Sequence, residues 1–312
     1  MITRANNKKS FFKKNVLPRW QLYLLLLFPI MHLLIFSYYP MMGAQIAFRK
    51  YDLMLGMWRS PWAGFYQFTR FFNMPSFGQI IQNTIFLSLY GMVVGFPLPV
   101  MLALILNAFP FLKIKKTFQT VSYMPHFISV AVVVGMMMQI LSPRVGGVGN
   151  IYYLITGDLM PNLFGRAANF RHLFVWSTVW QGMGWSSIIY IAALSSVDPE
   201  MHEAAQIDGA SRFKRVMHID LPCLMPTITI MLILACGAIM NVGFERAFLM
   251  QNNLNLSRSE VIATYVYKVG LVMGTGDFSF ATAIGLFNSV INFVMLLTVN
   301  FIAKKVGDYS LM

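Results

Sequence analysis

The side chains able to bond a polar solute stand out because their neighbours are apolar. Asn83 and Thr84 sit in one apolar run, Gln181 in another with Trp176, Trp180 and Trp185 nearby, and Asn241 in a third. Asn288 and Asn292, with Ser289 beside them, lie four apart on one helical face of a fourth run. Amides bond hydroxyls, and flat aromatic faces cover the weakly apolar faces of sugar rings, so Asn83, Gln181, Trp185, Asn241, Asn288 and Asn292 suit a carbohydrate path. Each amide also has a plainer use, a hydrogen bond to a neighbouring helix. Groups for bond-breaking chemistry are missing. There is no H-E-x-x-H, no G-x-S-x-G and no pair of carboxylates inside an apolar run, and His202-Glu203 is not followed by His at the needed spacing. Cys223 and Cys236 form neither a disulfide framework nor a metal spacing and read as small buried hydrophobes. No catalytic or metal-binding residue is predicted, and the chain reads as a non-enzyme. The sequence also lacks G-x-x-x-x-G-K-[ST], so it cannot cradle ATP phosphates by itself.

These residues are set in a chain of 312 residues that is 57% hydrophobic, 15% aromatic and only 11% charged, with a net charge of +13. Charges collect between long uncharged stretches, which excludes both a soluble enzyme and a disordered chain and points to a membrane. In that setting the basic excess is a topology signal and an attraction to anionic lipid, not a sign of nucleic-acid binding. A spanning helix needs about 20 apolar residues. Six segments meet this, at about 20–42, 80–108, 118–141, 171–194, 221–244 and 278–303. Segments 1–19, 109–117, 195–220 and 304–312 are more than twice as dense in Lys and Arg as the three longer connections, so both termini are placed in the cytoplasm. Residues 1–19 read as a basic cytoplasmic segment before an uncleaved first span, and 20–312 as one transmembrane domain. The longer outer connections, rich in aromatics such as Trp58, Trp62, Tyr66, Tyr152 and Tyr153, form either an interfacial belt or a docking surface. Pro97 and Pro99 are expected to bend the second span, where Gly91 and Gly95 give a small-x-x-x-small face. His32 and His126 read as packing residues, and Glu245 is the acid nearest a span.

The long inner connection, 195–220, carries its own structural signals. Asp198 before Pro199 starts a helix, Glu200 and Glu203 favour its first turns, Gly209 suits a left-handed end, and Ser211 can cap a second helix that leads to Pro222 and Pro226. Two short helices meeting at a small tip follow from this, either as an ordinary interfacial loop or as a contact for a partner. Glu203-Ala204-Ala205, Asp208-Gly209-Ala210 and the downstream Ile219-x-Leu221-Pro222 with Pro226 resemble the EAA loop of permease subunits in ATP-binding-cassette importers, in the carbohydrate-uptake branch related to maltose permeases. The passage LFPIMHLLIFSYYPMMGAQIAFRKY is similar to a narrower group that handles polysaccharide fragments and includes lipoprotein-associated permeases.

This resemblance implies an all-α, six-span permease of the type I importer class with a cytoplasmic coupling helix. It implies that Glu203, Ala204, Ala205, Asp208, Gly209 and Ala210 meet a cytoplasmic ATPase, which binds the ATP and Mg that this chain does not. It further implies a second, non-identical permease chain, two ATPase subunits and an external solute-binding (lipo)protein. Together they would move an oligosaccharide or polysaccharide fragment inward by alternating access in a bacterial plasma membrane. The competing reading is an ion-coupled carrier acting without an ATPase. Such a carrier usually holds a carboxylate deep in a span, and no acidic residue lies there.

Overall fold

A computed structural model describes residues 17–272 and 276–306. The basic stretch 1–16, residues 273–275 and the C-terminal 307–312 lie outside the described residues. Helices dominate, and the described residues hold no named strand, only one isolated bridge between Arg49 and Trp62. The first helix, α1 (Trp20–Phe48), is apolar and exposed along almost its whole length, joining the body only near Ala47, which is fully buried. It runs six residues past the expected end because Met42–Phe48 continues as a tighter 3-10 turn.

The second helix, α2 (Phe77–Ala108), carries Pro97 and Pro99 without ending. Phe96, just before them, keeps helical dihedrals of φ −77° and ψ −45°. The third expected span is not one straight helix. It divides into α3 (Leu112–Tyr123), a turn at Met124–Phe127, and α4 (Val130–Ile140), with a bend of 97° between the two arms. Met124, before Pro125, keeps helical dihedrals, and the chain leaves the helix at Ile128 and Ser129, which are extended. Ser129 then starts α4 anew, its hydroxyl accepting from the Val132 N–H at 3.3 Å.

The long central helix α5 (Ala167–Leu194) has 28 residues, enough to span, yet it is less apolar than α2 because of its Trp, Ser and Gln content. One face of it is buried in the protein, while Trp176, Trp180 and Trp185 are exposed. Phe170, Phe174, Val175 and Val179 pack with Leu87 of α2 toward one end, and Tyr190 and Leu194 pack with Val100 and Ala103 toward the other. After α5 come α6 (Pro199–Ile207) and α7 (Arg212–Gly237). The second loop helix and the fifth span, expected as separate pieces, are one 26-residue helix that passes through a π turn at Val216–Asp220. That helix stops at Gly237, seven residues before the expected end, and the chain turns before α8 (Phe244–Met250). A short apolar helix, α9 (Ile262–Val272), precedes α10 (Phe278–Val306). Among the described residues four helices, α1, α2, α7 and α10, are long and apolar enough to cross a membrane, and α3 with α4 makes a fifth if the broken pair counts as one span.

The contact of α3 with α5 depends on Gly184. A Cβ at that position would run into the carbonyl of Ser122, a main-chain group that cannot swing aside. Overpacking of this kind costs about 1–3 kcal/mol. Gly184→Val is therefore expected to lower the thermal unfolding temperature of the purified protein by several degrees, and an unchanged value would show that α3 gives way easily.

Candidate functional site

The connection at 195–220 forms a compact corner. Asp198 accepts from the Glu200 N–H at 2.9 Å, and Pro199 at the first helical position gives up no bond. At the other end of α6, Ala210 N–H bonds the Ala205 carbonyl at 2.9 Å and Gly209 N–H bonds the Gln206 carbonyl at 3.1 Å. These two bonds make a Schellman motif, and Gly209 supplies its left-handed residue with φ +75°. Ser211 accepts from the Lys214 N–H at 3.4 Å and starts α7. Glu203, Ala204, Asp208 and Gly209 are exposed, and Ala205 and Ala210 are half-buried. Glu203 has no hydrogen bond or ion pair among the described residues.

The residue that ties α6 to the spans is one the sequence reading did not select. Asp220, only 2% exposed, accepts from Asn107 Nδ2 at 3.3 Å and stands 3.1 Å from His202 Nε2. One carboxylate thus joins α6 through His202, the end of α2 through Asn107, and α7 through its own backbone. Burial of an anion is costly unless it is paired and hydrogen-bonded, so these partners are what allow Asp220 to sit there. A cavity of about 390 Å³ opens beside the corner, bordered by His202, Asp220, Arg212 and Arg215. The position of Asp220, one residue before Leu221-Pro222, was its only sequence signal.

The six amide and aromatic candidates separate by place. Asn83 is buried, donating to the carbonyls of Ser257 at 3.0 Å and Glu260 at 3.1 Å while accepting from Arg171 at 3.1 Å. Gln181 donates to the Ile128 carbonyl at 2.6 Å and accepts from Arg246. Asn292 accepts from the Met240 N–H at 2.9 Å. Asn288 and Asn292 both donate to Asn241 Oδ1, at 3.2 and 3.0 Å, which brings three of the candidates into one cluster. Trp185 is exposed and stacks on His126 with ring centroids 4.5 Å apart. His32, in turn, sits on the exposed face of α1 beside Phe36.

Two cavities flank the Asn241 cluster. One of about 600 Å³ lies between α2, α5 and the segment after α7, and its lining includes Ser88, Thr178, Asn241, Phe244, Glu245 and Arg246. The other, of about 440 Å³, lies against α9 and α10 and reaches Asn288. Asn241 is therefore the candidate placed at open space on the α2 side, and Asn288 the one on the α9 side. Asn83, Gln181 and Asn292 are taken up by contacts within the protein. Arg246, also buried, was missed because its partners Ser177 and Gln181 are more than sixty residues away in the chain.

The joint at Asp220 predicts non-additive energetics. His202→Ala and Asp220→Ala should each destabilise the protein, and the double substitution should cost less than their sum. The interaction energy is expected at about 0.5–3 kcal/mol from a double-mutant cycle of unfolding. Strict additivity would mean that the pair contributes nothing.

Comparison with known proteins identifies the family. Residues 83–308 match the family described as the binding-protein-dependent transport system inner membrane component. Protein LplB of Bacillus subtilis is 40% identical over 293 residues, covering 94% of this chain and 91% of LplB. The polygalacturonan/rhamnogalacturonan transport system permease protein YteP of the same organism is 36% identical over 308 residues, covering 99% of this chain and 95% of YteP. The fold superposes with a TM-score of 0.86 on a chain of a bacterial alginate ABC transporter solved in complex with an alginate pentasaccharide-bound periplasmic protein. The two chains are 35% identical, and the match covers 96% of this chain and 100% of that one. The chain belongs to the binding-protein-dependent transport system inner membrane components, and it is a permease subunit of an ABC importer, not an enzyme.

Proposed function

We propose that this permease carries an oligosaccharide or polysaccharide fragment into the cytoplasm of a bacterium, driven by ATP hydrolysis in a separate subunit. The observation that carries the reading is the joint at Asp220, which fixes an exposed, small-residue helix to two membrane helices at once. Small side chains at Ala204, Ala205 and Gly209 let another protein approach the backbone closely. A rigid lever of this kind converts closure of an ATPase pair into movement of α7. On this reading the ATPase subunits hold ATP and Mg, and α6 with Asp208 and Ala210 sits in a cleft on their surface. The permease pairs with a second, non-identical permease chain, and a solute-binding (lipo)protein delivers sugar from outside. The complex of the alginate importer with its sugar-loaded periplasmic protein supports such a partner.

The same reading makes α1, α2, the α3–α4 pair, α5, α7 and α10 six spans in the bacterial plasma membrane, with both termini cytoplasmic. The polymers named for YteP and for the alginate importer support a carbohydrate cargo. Asn241 and Asn288, at the two cavities, are the path candidates with open space before them.

Two substitutions test the reading. Gly209→Pro removes the N–H that bonds Gln206 and forbids a positive φ, so it should leave insertion and assembly intact while uncoupling uptake from ATP hydrolysis. Uptake by that variant at the normal rate would remove Gly209 as the turn of a lever. Asn288→Leu should reduce sugar uptake by about tenfold, the loss of one good hydrogen bond, without lowering the amount of assembled complex. Persistence of uptake with an ATPase-dead partner, driven by an ion gradient, would favour the ion-coupled carrier.

A further inference from the structure

Among the described residues only Asp220 and Arg246 carry a charge while more than nine-tenths buried. Asp220 has the His202 and Asn107 contacts. Arg246, 6% exposed, has only neutral ones: it donates to Ser177 Oγ at 2.8 Å and to Gln181 Oε1. No carboxylate among the described residues lies within ion-pair distance of it. A guanidinium has five N–H donors, so three are left over, and Arg246 borders the 600 Å³ cavity. Its chain neighbour Glu245 acts on it through space without forming an ion pair, a buried cation left so is costly, and in membrane proteins such residues mark ligand pathways.

The same cavity holds a second unmet group. Ser88 Oγ lines it and is buried with no hydrogen-bond partner. Asn241 uses its side-chain oxygen to accept from Asn288 and Asn292, which leaves its NH₂ group for a further acceptor. Glu245 also lines the cavity but is exposed, so water at the mouth screens its charge. Phe244 adds an aromatic face. The volume falls in the ordinary range for a site that holds a small molecule.

We infer that this cavity is a binding site for an acidic sugar, with the carboxylate of a uronate residue on Arg246. Ser88 and the Asn241 amide bond its hydroxyls, and Glu245 accepts from hydroxyls at the open side. Arg246 is then a selectivity residue that prefers charged over neutral saccharides during passage. The inference rests on the carbohydrate reading above and adds the chemical class of the cargo.

The test is uptake by the complete importer, with its binding protein and ATPases, reconstituted in vesicles. The probes are trigalacturonate and trimannuronate as acids, and maltotriose as a neutral sugar of equal length. The intact complex should import at least one of the two acids. Arg246→Gln should slow that import at least tenfold without lowering the amount of assembled complex, and Arg246→Lys should retain a large part of it. Ser88→Asp is a second variant that keeps the contacts of Arg246 with Ser177 and Gln181 in place. By placing a carboxylate in the cavity it should lower import of the acid at least tenfold, and by more than the uncharged Ser88→Asn of equal size. Import of the acid at the intact rate by both Arg246→Gln and Ser88→Asp overturns the inference. Import of maltotriose with no import of either acid overturns it as well, but leaves the carbohydrate reading standing. If none of the three sugars enters, both readings fall.

Discussion

Where a helix breaks inside an apolar molecule, the main-chain groups it frees must find partners within the protein, because hydrocarbon offers none. The fold is arranged around that demand. The α3–α4 break leaves the Ile128 carbonyl to Gln181, and the end of α7 leaves the Met240 N–H to Asn292. The connection before α9 places the carbonyls of Ser257 and Glu260 on Asn83, and the Ile262 N–H on Thr84. The polar side chains scattered through the apolar runs thus hold the irregular backbone in place. That is why the two cavities can exist beside broken helices without the molecule losing its shape.

The same demand shapes the corner at α6. A buried carboxylate at Asp220 is tolerable only with His202 and Asn107 in position, so the two elements cannot drift from α7 without exposing an unpaired charge. α7 runs from Arg212 through its π turn to Gly237, roughly 39 Å at 1.5 Å per residue, and on the proposed reading it is the element that would carry a displacement from the corner. The helix ends where Met240 and Asn241 are held by α10, at the edge of the cavity that Arg246 borders. The corner and the edge of the cavity thus lie at the two ends of one helix.

What could be read from the sequence was local. The caps at Asp198 and Ser211 and the left-handed Gly209 depend on residues within a few positions of one another, and the structure has each of them. The end of α2 and the start of α10 follow from length and apolarity. The turn after Gly237 did not follow, because Ala238–Gly243 is apolar enough to continue a helix and is stopped by a bond from Asn292 more than fifty residues on. The 97° bend was signalled by Pro125 and Ser129, yet the uniform apolarity around them reads as a single span. Asp220 and Arg246 were missed for the same reason: each is explained by partners distant in the chain, and neither has a local pattern. The amides at Asn83 and Gln181 show the converse, since their type fits a sugar site while long-range contacts assign them to backbone.

The account stands on α6 meeting an ATPase. Its sharpest measurement is site-directed cross-linking from Ala204→Cys, in a chain whose Cys223 and Cys236 have been replaced, within the active importer. The account predicts a cross-link to the ATPase subunit whose yield changes between the ATP-bound and nucleotide-free states. An active complex in which position 204 cross-links to no ATPase in either state would contradict it.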